Sequence, residues 1–167
     1  NDLARELHYI ADDEKTEWVE DEKVYLVSSI NCTGDPYEAM MKVREHFGDR
    51  GSILAHHAYQ SFMPGEVTPE LCHKIGVELA EKLWGDRYQV VVASHLNKSH
   101  LHNHFILNPI SFIDGKKIDS GYTNYYSLRE ASDEICLKYG LSVIKNPRGH
   151  TPRPIYFDEK AGKPTRY

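Results

Sequence analysis

Four of the chain's ten histidines fall within residues 95–104, in the order His95-Leu-Asn-Lys-Ser-His100-Leu-His102-Asn-His104. Neutral imidazole is a good ligand for divalent Zn, Mn, Fe, Ni and Cu. The cluster lies mid-chain, so an affinity tag does not account for it. Spacing decides whether the rings can converge. Val90-Val91-Val92-Ala93 reads as a buried strand, and after the polar Asn97-Lys98-Ser99 a second strand-like run covers 100–110. Successive side chains on a strand point to opposite faces. His100, His102 and His104 therefore share one face, while Leu101, Asn103, Phe105 and Leu107 share the other, which should be core. His95, ending the preceding strand, can fold over the loop to give a further ligand. Three protein ligands with open positions describe a catalytic metal, and four closed ones a structural metal. On spacing alone His100 competes with His95 for the third place. A row of surface histidines holding nothing is the plain alternative. Three imidazoles on one strand face plus a fourth across a short loop favour a metal.

The flanking elements must position this cluster. Leu3, Leu7 and Ile10 sit at helical spacing and predict a short helix over 3–11, followed by a polar, acidic loop as far as 22. A strand is expected over 24–30. Asp35-Pro36 has the cap-then-proline form of a helix start, and that helix should run through Met40, Val43 and Phe47 to stop at Gly48. A strand over 53–62 ends at the Pro64-Gly65 turn. Thr68-Pro69 opens another helix with Leu71, Ile75, Leu79 and Leu83 on one face and Gly85 as its stop. Asp114-Gly115 signals a hairpin turn with a short return strand over 116–118. A last helix carries Leu128, Ala131, Ile135 and Tyr139, with Gly140 after it, and 141–144 is a candidate final strand. The linkers near His95 and Asp114 are too short for parallel crossovers, which need a dozen or more residues. The expected fold class is α+β: a mainly antiparallel central sheet, with helices covering one face and histidines on the other.

At 167 residues the chain is one domain with room for a proper core. Residues 1–145 form the predicted domain and 146–167 a basic, proline-containing C-terminal arm. The chain begins at Asn1 rather than Met and is expected to be part of something longer. No signal peptide and no membrane-length apolar run is present, which predicts a soluble, cytoplasmic protein. Cys32, Cys72 and Cys136 are scattered and odd in number, and read as reduced thiols. The net charge of −5 runs against a nucleic-acid partner. Its distribution runs the other way, because Lys98, Lys116 and Lys117 flank the histidines and Arg148 and Arg153 stand in the basic tail. Single strands are held by such local basic grooves with stacked aromatics. The sequence has no H-E-x-x-H, no deaminase signature and no glycine-rich phosphate loop. Metal-assisted attack on a phosphodiester or another polarised ester remains.

Three stretches carry a resemblance. Residues 95–108 give His95, Asn97, His100, His102, His104 and Asn108 in the places of a pattern H-x-D-x-x-(H/N)-x-H-x-H-x-x-x-N. Upstream, His57-Ala-Tyr-Gln-Ser61-Phe62-Met-Pro64-Gly65-Glu66 matches a strand ending in S-F-x-P-G-E. Near the start, His8-Tyr9-Ile10-Ala11 precedes Glu14-Lys15-Thr16. Together, over residues 7–145, they resemble the third, second and first motifs of conjugative relaxases of the MobP type, in the HUH endonuclease superfamily. The likeness is nearest to relaxases of Gram-positive conjugative transposons. Asn97 stands where the family has aspartate. The strand that usually precedes the tyrosine helix is missing, which again suggests a trimmed chain.

The resemblance implies a bacterial enzyme of conjugative transfer or mobilisation. It would nick one DNA strand at an origin of transfer, stay joined to the 5′ end through a phosphotyrosine, and later rejoin the strand. Tyr9 is then the nucleophile and His100 handles a proton or orients a ligand. His95, His102 and His104 hold a divalent ion, with Mn or Mg expected and Zn, Ni or Co able to serve in vitro. Ser61, Lys98, Arg148 and Arg153 contact DNA, and His57, Glu66 and Asn108 support the centre. Single-stranded DNA at the origin is the expected partner, with accessory relaxosome and coupling proteins. A free tyrosine has a pKa of about 10, so forming the phenolate at pH 7 costs roughly 4 kcal/mol, which a base or cation must supply. Rival readings are a replication initiator of the same superfamily, a metal-dependent hydrolase of a small ester, and a non-catalytic DNA-binding module with a structural metal.

Overall fold

The computed structural model describes residues 4, 7, 17–20, 22–96, 101–119 and 122–145. Tyr9, Lys98, His100, Arg148, Arg153 and the 146–167 arm lie outside the described residues. In chain order the elements are β1 (Glu17–Glu20), β2 (Glu22–Tyr25), β3 (Val27–Ile30), α1 (Pro36–His46), β4 (His56–Ser61), α2 (Pro69–Trp84), β5 (Val90–His95), β6 (His102–Leu107) and α3 (Tyr122–Lys138). Four strands form a sheet in the order β3-β5-β6-β4, every pairing antiparallel. The fold is α+β.

The starts of α1 and α2 follow from their caps. The Asp35 side chain accepts from the Glu38 backbone N–H at 2.9 Å, with Pro36 in the first turn where no N–H is needed. Thr68 accepts from the Leu71 backbone N–H at 3.3 Å ahead of Pro69. Parity along the strands then sorts the side chains. One face carries Val90, Val92, Phe105 and Leu107, packed with Ile75 and Leu79 of α2 and Ala131 and Ile135 of α3. The other carries Val91, Ala93 and Ile106, packed with Met40 of α1 and with Leu7. The Asp114-Gly115 turn requires glycine, since its φ is +68° and a Cβ would sit 2.6 Å from the Phe47 ring.

Several expectations are corrected. The acidic stretch before 22 is not all loop, because β1 and β2 pair as a hairpin from Glu17↔Tyr25 to Glu20↔Glu22. The strand expected over 24–30 is split at Leu26 into β2 and β3. The strand expected over 53–62 is shortened to β4, and the one over 100–110 to β6. The return strand over 116–118 is a single bridge, Ile110↔Lys117. Residues 141–144 form no strand. Instead the Ser142 backbone N–H and hydroxyl both donate to the Glu66 carboxylate, at 3.1 and 2.8 Å. Helices are not confined to one face either: α1 covers the lower half of the histidine-bearing face through Met40, which is fully buried.

Candidate metal centre

The ladder between β5 and β6 builds the centre. Its register sets His95 directly opposite His102 and Ala93 opposite His104. Because opposed residues share a face, His95, His102 and His104 all project to one side. Their ring centroids stand 5.1 Å (His95–His102), 4.0 Å (His95–His104) and 4.9 Å (His102–His104) apart. One ring nitrogen from each can be chosen so that all three lie within 4.8 Å of one another, and all three side chains are buried. Three buried imidazole nitrogens on a rigid ladder suit a first-row divalent ion with positions left open. The residues present fit a divalent metal ion.

β4 lines the open side of the centre. Ser61 pairs with His102, and Tyr59 with His104, so both face the same way as the imidazoles. His57, two residues back, brings its Nε2 to 3.0 Å from His104 Nδ1. Tyr59 Oη lies 3.2 Å from His57 Nδ1, and its ring meets that of His104 edge-on at 4.6 Å. His57, Tyr59 and Ser61 are exposed, whereas the three imidazoles behind them are buried. The face thus presents a row of side chains to solvent at the mouth of the buried cluster.

A polar belt lies on the reverse face, at the same height. Ser28 of β3, Ser94 of β5, Asn103 of β6 and Gln60 of β4 alternate with the residues of the centre. His73 of α2 bridges Ser28 Oγ (2.7 Å) and Ser94 Oγ (2.9 Å). Ser94 Oγ donates to Asn103 Oδ1 at 2.6 Å. Ser94 must then accept from His73 Nδ1–H, which leaves His73 Nε2 to accept from Ser28. Asn103 Nδ2 donates to Gln60 Oε1 (3.0 Å) and to the Cys72 carbonyl (2.8 Å). Gln60 Nε2 in turn donates to Ser132 Oγ of α3 at 2.9 Å. Gly76 permits this closeness, since a Cβ there would stand 2.5 Å from Asn103 Nδ2. Burial holds His73 below the ordinary histidine value, so the neutral, directional form is favoured. Burial also pushes the Cys72 thiol up to about 12, so it donates to Asn103 Oδ1 as a thiol.

The structure brings His95, His102, His104, His57 and Ser61 together. It places Glu66 elsewhere, on Ser142 beyond α3. Asn108 is likewise remote from the imidazoles. It lies beyond the far end of β6, about 13 Å along the strand from His104 at ~3.3 Å per residue, where its Nδ2 donates to Gln89 Oε1 at 2.9 Å. It caps the strand. Sequence reasoning assigned Asn103 to the apolar face without giving it a task, and gave Tyr59 none. Parity held the missing signal: Tyr59 alternates in step with His57 and Ser61.

The family described as relaxase, MobA/VirD2-like, nuclease domain, matches residues 9–141. A protein rlx of Staphylococcus aureus is 41% identical over 119 residues, covering 71% of this chain and 38% of that protein. Another protein rlx of Staphylococcus aureus is 39% identical over 124 residues, or 74% of this chain and 38% of that one. The group II intron-interrupted relaxase LtrB of Lactococcus lactis subsp. cremoris is 31% identical over 121 residues, 64% of this chain and 22% of that protein. The chain therefore spans about two fifths of the length of the Staphylococcus aureus relatives and about a fifth of the Lactococcus lactis one. No solved structure matches it.

Proposed function

The chain belongs to the relaxase family with the MobA/VirD2-like nuclease domain, and from that premise we propose that it nicks one strand of DNA at an origin of transfer by tyrosine transesterification. The observation that carries the reading is the convergence of buried His95, His102 and His104 from neighbouring strands onto one face, with Ser61 directly opposite His102.

In this reading Tyr9 Oη attacks the scissile phosphorus while the P–O3′ bond breaks. The phosphate passes to the tyrosine as a 5′-phosphotyrosyl ester, and the departing 3′ oxygen takes up a proton. The reverse attack by a 3′ hydroxyl restores the phosphodiester and releases Tyr9. His100 accepts and returns the tyrosine's proton. His95, His102 and His104 would hold a divalent ion, Mn or Mg, which when bound polarises the scissile phosphate and favours the phenolate. Ser61 donates its hydroxyl to a phosphate oxygen, and Lys98, Arg148 and Arg153 contact the strand as cations. His57 supports His104. The setting is the bacterial cytoplasm, with accessory relaxosome and coupling proteins as partners.

The test is incubation with a single-stranded origin oligonucleotide and Mn²⁺, followed by denaturing electrophoresis. A covalent protein–DNA adduct that disappears in Tyr9→Phe is expected. Turnover without an adduct would assign a hydrolase, and neither product would leave only a binding module.

A further inference from the structure

Resting on the reading of the triad as a metal centre, we infer that Tyr59 is a positioning residue for that centre, acting on His104 through His57. The argument follows the protons. A ring nitrogen that binds a metal gives up its lone pair, and the other nitrogen of that ring carries the hydrogen. Ligating histidines almost always donate this hydrogen to an acceptor that fixes ring and tautomer. His104 Nδ1 is the nitrogen that faces His57, at 3.0 Å, so Nε2 is the nitrogen left for the ion. His57 Nε2 must then be the acceptor. A neutral imidazole with one bare nitrogen carries its hydrogen on the other, so His57 is the Nδ1–H form and donates to Tyr59 Oη at 3.2 Å. Tyr59 accepts, and its own O–H is turned away from the histidines.

Three further features support the assignment. Tyr59 pairs with His104 across the β4–β6 ladder, so its placement comes from backbone register. Its ring touches both imidazoles, 4.4 Å from that of His57 and 4.6 Å from that of His104. The residue is 58% exposed, so it stands on the solvent side of the buried imidazoles. Carboxylates commonly fill the outer place on a ligating histidine; here an imidazole and a phenol do so, which orients His104 without adding negative charge beside an incoming phosphate.

A double-mutant cycle on divalent-ion affinity tests the inference, with Mn²⁺ titrated calorimetrically into metal-free protein and no DNA present. His57→Ala should weaken binding roughly 10- to 100-fold, the range for an outer partner of a ligating histidine. Tyr59→Phe keeps the ring and loses one hydrogen bond, and should weaken it about 2- to 10-fold. Because Tyr59 acts through His57, the double variant should be no worse than His57→Ala. His57→Gln, which can still accept from His104, should recover part of the loss. Long-range ¹⁵N spectra of the Zn²⁺-loaded protein should show His57 as the Nδ1–H tautomer. Additive effects, an unchanged affinity in Tyr59→Phe, or an Nε2–H His57 would overturn the inference. Wild-type protein that binds no divalent ion at all would instead overturn the reading of the triad beneath it.

Discussion

Removing the Asn103 amide should cost the fold about 3 kcal/mol. Its Oδ1 accepts from Ser94 Oγ and its Nδ2 donates to Gln60 Oε1 and the Cys72 carbonyl, all without exposure to solvent. In Asn103→Ala the Gln60 oxygen loses its partner outright. Ser94 keeps His73 but has nowhere to donate, and the Cys72 carbonyl loses a bond from a side chain. A buried polar group left unsatisfied costs about 1–3 kcal/mol, and the sum of one full and two partial losses gives the figure above. Set against a typical stability of about 5–15 kcal/mol, that is a large share. Urea unfolding followed by tryptophan fluorescence is a suitable assay, because Trp84 packs edge-on against Phe105, two residues along the strand. With a slope of about 2 kcal/mol per molar, the midpoint should fall by about 1.5 M. A loss under about 1 kcal/mol would mean that the belt relaxes or admits water, and the reasoning from its unmade bonds would fail.

Other outcomes follow from the same geometry. His102→Ala or His104→Ala should abolish most divalent-ion uptake by metal-free protein while leaving the circular dichroism spectrum intact; full uptake in both would remove the triad from consideration. His73 is held below its ordinary value by burial, and His56 shifts the same way for the same cause. The unfolded chain therefore binds more protons than the folded one, so this part of the stability is complete above about pH 6.5 and is lost as pH falls towards the folded-state value. Urea midpoints between about pH 7.5 and 5.5 should drop less steeply in His73→Gln than in wild type, and parallel slopes would refute it. Arg44, buried in α1, holds Asp49 at 2.7 Å and donates to the Gly51 and Ile53 carbonyls, both at 2.9 Å. Arg44→Met leaves Asp49 with Lys117 at 3.3 Å and the Gly51 backbone N–H at 3.2 Å, but strips the two carbonyls of a charged donor, and should cost roughly 1–3 kcal/mol in thermal unfolding; no loss would refute it.

How much of this could be read in advance depended on whether a residue's task was local. The caps at Asp35 and Thr68 act within one helical turn, so the dipeptides before each proline sufficed. The face shared by His102 and His104 follows from the period of two alone. His95 needed one further step, the short hop between strands that sets it opposite His102. Where pairing is set at a distance, reading failed. The β1–β2 hairpin is flanked by so many carboxylates that its Trp18, Val19, Val24 and Tyr25 gave no clear alternation. Residues 141–144 have strand-like composition, but the Ser142 N–H that a ladder would use goes to Glu66, more than seventy positions earlier. Asn103 sat in plain view on an apolar face. Its task is to link three strands and a helix, and a single strand's pattern does not display that. The residue expected beside the ions at position 108 failed for a related reason: the strand carries it too far along the sheet to reach them.

The β5–β6 register described above divides labour within the molecule. His95 and His102 meet because main-chain ladder bonds align them, and His104 follows by one pleat. The main chain does the aligning and the side chains have only to be imidazoles, so the meeting survives any substitution elsewhere that leaves the ladder paired. A slip of one residue in that pairing would turn His102 and His104 together onto the reverse face and dismantle the cluster in one step.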